Sequence, residues 1–398
     1  MVVRPPEVAV RTPAAAGVVA ALAMALPLSG CGSDAASPDA TGAASSTMPV
    51  RLQWNANSGY CGEAAFIAAG MSLGQYTSQW TARQLAAGSP DADQSDPDNH
   101  LLLTWPAQGS TWQRAARAMR LQAEGFDPAE GAGPPGRDAD AFLAWVDARA
   151  RAGSRVIIGV LNNTNLLEED APGAPEYDHI VPVMRIGAGQ ITIGDNGLFR
   201  PFTSGANWGS GNTAGNPLHS TLYTAGVGAV QKSRAEANQV GAACPFSSGG
   251  DITNACAPWV YSIYDDSTGE GNYGVAIPGI VDRTPGGPVT APVRVTTGTN
   301  NEGMQDQVEM SSPPPGKPMA LTATVTIPDP SREWRVYLYT DFADVPTGSF
   351  NAAATASPTS VARMWTVPAG SGATWSTTLP HARTDATYVF RAVPATAP

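Results

Sequence analysis

Gly59-Tyr60-Cys61-Gly62-Glu63-Ala64-Ala65-Phe66-Ile67-Ala68-Ala69-Gly70-Met71 passes from loop into helix. Ala64, Ala65, Ala68 and Met71 recur at near-helical spacing and predict an apolar face. The small side chains on that face let the helix sit deep in a core. Cys61 falls at or just before the first turn, where the helix dipole and free N–H groups favour a thiolate. Glu63 suits the same dipole, but so close to Cys61 its charge opposes the thiolate. A cysteine placed this way is either a small buried hydrophobe or a reactive group.

Downstream, periodicity predicts helices over 78–87, 110–124 and 137–151, with Trp112, Ala115, Met119, Leu121, Phe142, Leu143 and Val146 as core candidates. Strands follow over 155–161, 179–186 and 190–194, the last two joined by a Gly187-Ala188-Gly189 turn. Helices first and an antiparallel sheet after them is an α+β pattern. The stretch 208–250 is rich in Gly and Asn with weak periodicity, and 260–265 and 273–280 read as further strands. Thr284-Pro285-Gly286-Gly287-Pro288 reads as a linker. Short strands over 293–297, 319–327, 334–340, 362–367, 374–379 and 386–392 then predict a small all-β, sandwich-like domain.

The N-terminus reads as an address. Arg4 and Arg11 precede a short apolar run that ends in Leu28-Ser29-Gly30-Cys31. That tetrapeptide resembles a bacterial lipobox, which implies diacylation of Cys31, export, and attachment to a membrane through the N-terminal lipid alone. The expected division is a signal peptide over 1–30, a disordered Ser/Ala/Thr-rich tether over 31–48, an α+β domain over 49–284 and the β domain over 285–398. The 398 residues carry 23 basic and 34 acidic side chains, a net charge of -11. An acidic surface repels phosphate backbones, so nucleic acid is excluded as a partner.

The chain has four cysteines. In an oxidising compartment Cys244 and Cys256, close together in a Gly/Ser/Pro-rich stretch, are expected to pair, a closure that contributes about 3 kcal/mol. With Cys31 lipidated, Cys61 is the odd thiol, although pairing with Cys244 or Cys256 is the open alternative. Nothing has the ligand spacing of a zinc site, and no metal or organic cofactor is expected.

Thiol catalysis needs a base and a group that orients it. His179 opens a strand, and Gly194-Asp195-Asn196-Gly197 ends the next one. The intervening turn brings the two together, so Asp195 or Asn196 accepts the imidazole N–H. Asp195 is preferred because it also holds an imidazolium. Asp178 points to the opposite strand face. His100, His219 and His381 are the competitors, none followed by such a hairpin. Trp54 and Tyr60 flank the cysteine loop and are candidates for a cleft lining.

The strings Gly59-Tyr60-Cys61-Gly62-Glu63, Tyr177-Asp178-His179-Ile180-Val181-Pro182-Val183 and Gly194-Asp195-Asn196-Gly197 resemble the peptidase C39-like group of papain-like cysteine peptidases. The closer likeness is to a set of exported proteins bearing the first two strings. The resemblance implies a papain-like domain and amide hydrolysis on a peptide or protein substrate. It also implies an oxyanion donor just before the cysteine: Gln53, with Asn55 as the alternative. In the family that gap is a little shorter than the eight positions here. A non-catalytic surface binding protein and an acyl or amide transferase are the competing expectations. The sequence leaves the oligomeric state open.

Overall fold

The computed structural model describes residues 42–51, 53, 59–103, 110–126, 139–162, 179–194, 196, 222–227, 261–263, 272–298, 316–350 and 360–396. The predicted signal and tether up to residue 41, Cys31, Cys244, Cys256, Trp54, Asn55, Asp178, Asp195 and His219 lie outside them. Four helices are described: α1 (Cys61–Met71), α2 (Gln79–Ala87), α3 (Thr111–Ala118) and α4 (Ala139–Arg151). The first strands are β1 (Ala44–Ser45), β2 (Gln75–Tyr76), β3 (Leu121–Gly125), β4 (Arg155–Asn162) and β5 (His179–Gly187). Next come β6 (Gln190–Gly194), β7 (Leu222–Gly226), β8 (Tyr261–Ser262), β9 (Gly274–Ile280) and β10 (Val293–Thr297). The last are β11 (Pro318–Thr326), β12 (Trp334–Tyr339), β13 (Arg363–Val367), β14 (Thr374–Arg383) and β15 (Tyr388–Pro394). The architecture is α+β, with antiparallel sheets throughout.

The first sheet runs β3-β9-β4-β5-β6-β7, with β1 on β5 and β8 on β4. Side chains alternate across a strand, and β4 uses both faces. Ile157 packs with Phe66, Ala69, Trp112 and Met119 from the α1–α3 side. Val156 and Ile158 pack with Phe142, Leu143 and Val146 of α4. All residues of α1 are buried. A helix that is apolar around its whole circumference belongs at the centre of a fold; here one flank meets β5 and the other the C-terminal strands.

One predicted helix is corrected. The stretch 110–124 is helical only to Ala118; Leu121–Gly125 is a strand paired with β9. Arg120 has φ 57, a left-handed conformation that reverses the chain between the two. Leu121 keeps helical spacing with Trp112 and Ala115 but reaches the same core from the sheet.

The C-terminal strands form two facing sheets, β10-β11-β14 and β13-β12-β15-β2. Leu321, Ala323 and Val325 point inward from β11 against Val336, Leu338, Phe390 and Ala392. The second sheet is completed by β2, which lies between α1 and α2 in sequence and pairs Tyr76 with Tyr388. Its other face carries Tyr337, Tyr339, Val389 and Val393 into the core that holds Phe66 and Trp112. The described residues thus form one compact unit. Strands β12 and β15 wall in the central helix α1. A buried polar pin crosses the same boundary. Arg391 donates to Gln75 Oε1 (2.8 Å) and to Leu73 O (3.3 Å), and Gln75 Nε2 donates to Met119 O (3.1 Å). Burial lowers the Arg391 guanidinium to about 9.

Candidate functional site

Cys61 is the first residue of α1 and carries a free thiol with 9% exposure. The chain enters the helix through Gly59, whose φ of +60 suits a residue without a Cβ. Gly62 has a stricter requirement. A Cβ there would run into the Leu101 carbonyl oxygen and come within 3.1 Å of Ile180 Cδ1. The absence of a side chain lets the start of α1 press onto β5 and onto the 100–103 segment together.

A buried arginine organises this turn. Arg83, projecting from α2, donates through Nε to Glu63 Oε1 (2.8 Å). Its Nη1 donates to Gln94 O (2.6 Å) and its Nη2 to Gly59 O (2.8 Å). The guanidinium lies 3.6 Å from the centre of the Tyr60 ring, and Tyr60 Oη donates to Gln94 Oε1 (2.8 Å). Glu63 also accepts from the Leu101 N–H (3.0 Å). The side chains of Arg83 and Glu63 have no solvent exposure, so the pair must satisfy itself internally. The charge on Glu63, read from sequence as a hindrance beside Cys61, is directed into Arg83. Tyr60 is fully buried in this network and lines no cleft.

Asn196 ties the site together from the other side. Its Nδ2 donates to Cys61 O (2.9 Å) and Ile180 O (3.0 Å), while its own carbonyl accepts from the Gln53 N–H (2.7 Å). One side chain thereby joins the first residue of α1 to the second residue of β5, next to His179. Gln53 and Asn196 are each 1% exposed. Among the described residues, Gln53 Nε2, Gln53 Oε1 and Asn196 Oδ1 are buried and find no hydrogen-bond partner. A buried polar atom without a partner costs stability and calls for an explanation, such as a binding or catalytic role. His179, 1% exposed, opens β5 opposite Val160. By the alternation of the strand it is in register with Val181 and Val183, which face α4, whereas Ile180 faces α1. The structure therefore gathers Gln53, Cys61 and Asn196, and sets His179 at the adjoining strand end.

His100 was set aside in the sequence as a loop residue, yet its Nδ1 would lie 3.0 Å from a Cβ on Gly59, so it seals the cysteine turn. Burial, reinforced by the positive charge of Arg83, lowers its imidazole to about 4. It is therefore neutral near pH 7, and its buried Nε2 has no partner. No signal in the sequence marked His100; its neighbour Leu101 reaches Glu63 only in the fold. Among the described residues no group of three or more His, Cys, Asp or Glu side chains can hold a metal ion. No protein-family model matches the chain, and neither the curated proteins nor the solved structures contain a match to it.

Proposed function

We propose that the chain is an exported, lipid-anchored cysteine peptidase or amidase of papain-like design, acting on a peptide or protein substrate. The observation that carries this reading is the Asn196 clamp, which joins the Cys61 turn to the β5 end at His179 beside an unpartnered, buried Gln53 amide. In this reading Cys61 Sγ attacks the substrate carbonyl and His179 takes the thiol proton. The Gln53 Nε2–H and the Cys61 backbone N–H receive the oxyanion. His179 then delivers the proton to the departing amine, leaving an acyl thioester that water hydrolyses. Asp195 keeps its sequence-assigned role of orienting His179. Cys31 supplies the lipid anchor, and Cys244 with Cys256 a disulfide.

A second reading is a non-catalytic surface binding protein on the same scaffold. The low exposure of Cys61 and the register of His179 with the α4-facing residues of β5 favour it. Incubation of the full chain with a diverse peptide library, read by mass spectrometry, separates the two. New termini or deamidated side chains that vanish in Cys61→Ala and His179→Ala support the enzyme. Peptides retained intact and equally by all three proteins support the binding reading.

A further inference from the structure

We propose that Arg83 is a positioning residue for Cys61: it fixes the Gly59–Tyr60 turn that sets the thiol at the head of α1, and it cancels the Glu63 charge that would oppose the thiolate. The proposal rests on the reading of Cys61 as a nucleophile. Its basis is the convergence of four contacts on one fully buried guanidinium. Two go to the cysteine turn itself, the Gly59 carbonyl and the face of Tyr60; one goes to Glu63, two residues beyond Cys61; and one goes to Gln94, which also holds Tyr60. A purely structural cation does not need to bridge both sides of one residue. Arg83 grips the chain before Cys61 and after it, so Cys61 cannot shift along the helix axis without breaking a charge-assisted bond.

The electrostatic half follows from the groups around the cysteine turn. From its own helix comes Glu63, from α2 Arg83, from the segment before α3 His100, and from the turn Tyr60, while His179 opens β5 in register with the residues that face α4. His100 is neutral near pH 7 because burial lowers it to about 4. The balance of fixed charge beside Cys61 on the α2 side is then set by Glu63 against Arg83. Removing either partner alone leaves the other as an uncompensated buried charge. Loss of the cation disfavours the thiolate, and loss of the anion favours it.

The test is the pH dependence of iodoacetamide alkylation at Cys61, followed on the Cys61 peptide by mass spectrometry in the full chain. Arg83→Met is expected to move the midpoint up by about one pH unit, and Glu63→Gln to move it down by a similar amount. The double variant, neutral at both positions, is expected to return to the wild-type midpoint. Arg83→Lys keeps the charge but loses the fork to Gly59 O and Gln94 O. It is expected to hold the midpoint while the plateau rate falls about tenfold. If Arg83→Met does not fold, as judged by near-ultraviolet circular dichroism, Glu63→Gln and the double variant decide the charge effect. An unchanged midpoint in Glu63→Gln, or a double variant that keeps the single-variant shift, overturns the charge effect. A wild-type plateau in Arg83→Lys overturns the positioning effect. His179→Ala is run alongside. If it reacts like wild type while the Arg83 and Glu63 variants shift as expected, the catalytic reading falls and the role of Arg83 stands.

Discussion

The two ends of α1 are held by opposite kinds of force. Its C-terminal half is gripped by apolar contact: Ile67 and Met71 enter the sandwich core with Val293, Leu321 and Phe390, and the following turn is pinned where the Phe390 N–H donates to Gly74 O (2.7 Å). Its N-terminal turn is held by a buried ion pair, a cation over an aromatic ring and the Asn196 clamp. Apolar packing is tolerant of small shifts; a charge-assisted network has one geometry. The C-terminal half is held by packing, and the turn that carries Cys61 is held in one geometry.

Three substitutions or conditions sharpen that contrast. The largest effect is expected at the polar end. Glu63→Ala leaves Arg83 buried without a counter-charge and is expected to cost about 3–5 kcal/mol in urea unfolding. At the apolar end, Ile67→Ala removes a side chain that is 1% exposed and is expected to cost about 3 kcal/mol. It is expected to leave the pH dependence of Cys61 alkylation unchanged, because it touches no charge. A cost at Glu63 no larger than an ordinary surface substitution would erase the distinction between the two ends.

The smallest effect is a pH dependence confined to the polar end. His100 is lowered to about 4 in the folded chain, against 6.5 for the free side chain. Between those values the unfolded chain binds more protons. The His100 contribution is therefore complete above pH 6.5 and falls as pH drops toward 4. At about 1.4 kcal/mol per pH unit the ceiling is about 3 kcal/mol, which the partial exposure of the ring reduces to about 2 kcal/mol. Urea midpoints of wild type and His100→Gln, compared at pH 7 and pH 4.5, check this; the variant is expected to lose most of the dependence.

How much of this was legible depended on the distance over which residues cooperate. The α+β class and the strands from Val293 to the C-terminus followed from local alternation and turn residues, because each strand carries its own pattern. The helix at Cys61–Met71 was readable for the same reason. The end of α3 was not, because Leu121 continues a helical spacing while the backbone reverses at Arg120. Nor was β2: Gln75–Tyr76 is too short to show a period, and its partner Tyr388 lies in the last strand. That pairing is what lets Tyr337, Tyr339, Val389 and Val393 share a core with Phe66 and Trp112. At the candidate site, Cys61 and His179 were legible as residue types in order, and Gln53 entered only through the resemblance. Arg83 and His100 were not, because their meaning comes from segments that meet only in the fold: Gly59, Glu63, Gln94 and Leu101. Asn196 stood as the second choice for an acceptor, and the described structure gives its amide a different task, that of clamp.

The proposed activation of Cys61 by His179 is open to direct test by labelling. The full chain is treated with iodoacetamide at pH 7 and the Cys61 peptide is quantified in wild type and His179→Ala, with Cys61→Ala as the blank. An activated pair predicts that His179→Ala labels at least about tenfold more slowly, since a thiol without its base is mostly protonated at that pH. Equal labelling of wild type and His179→Ala would rule that activation out.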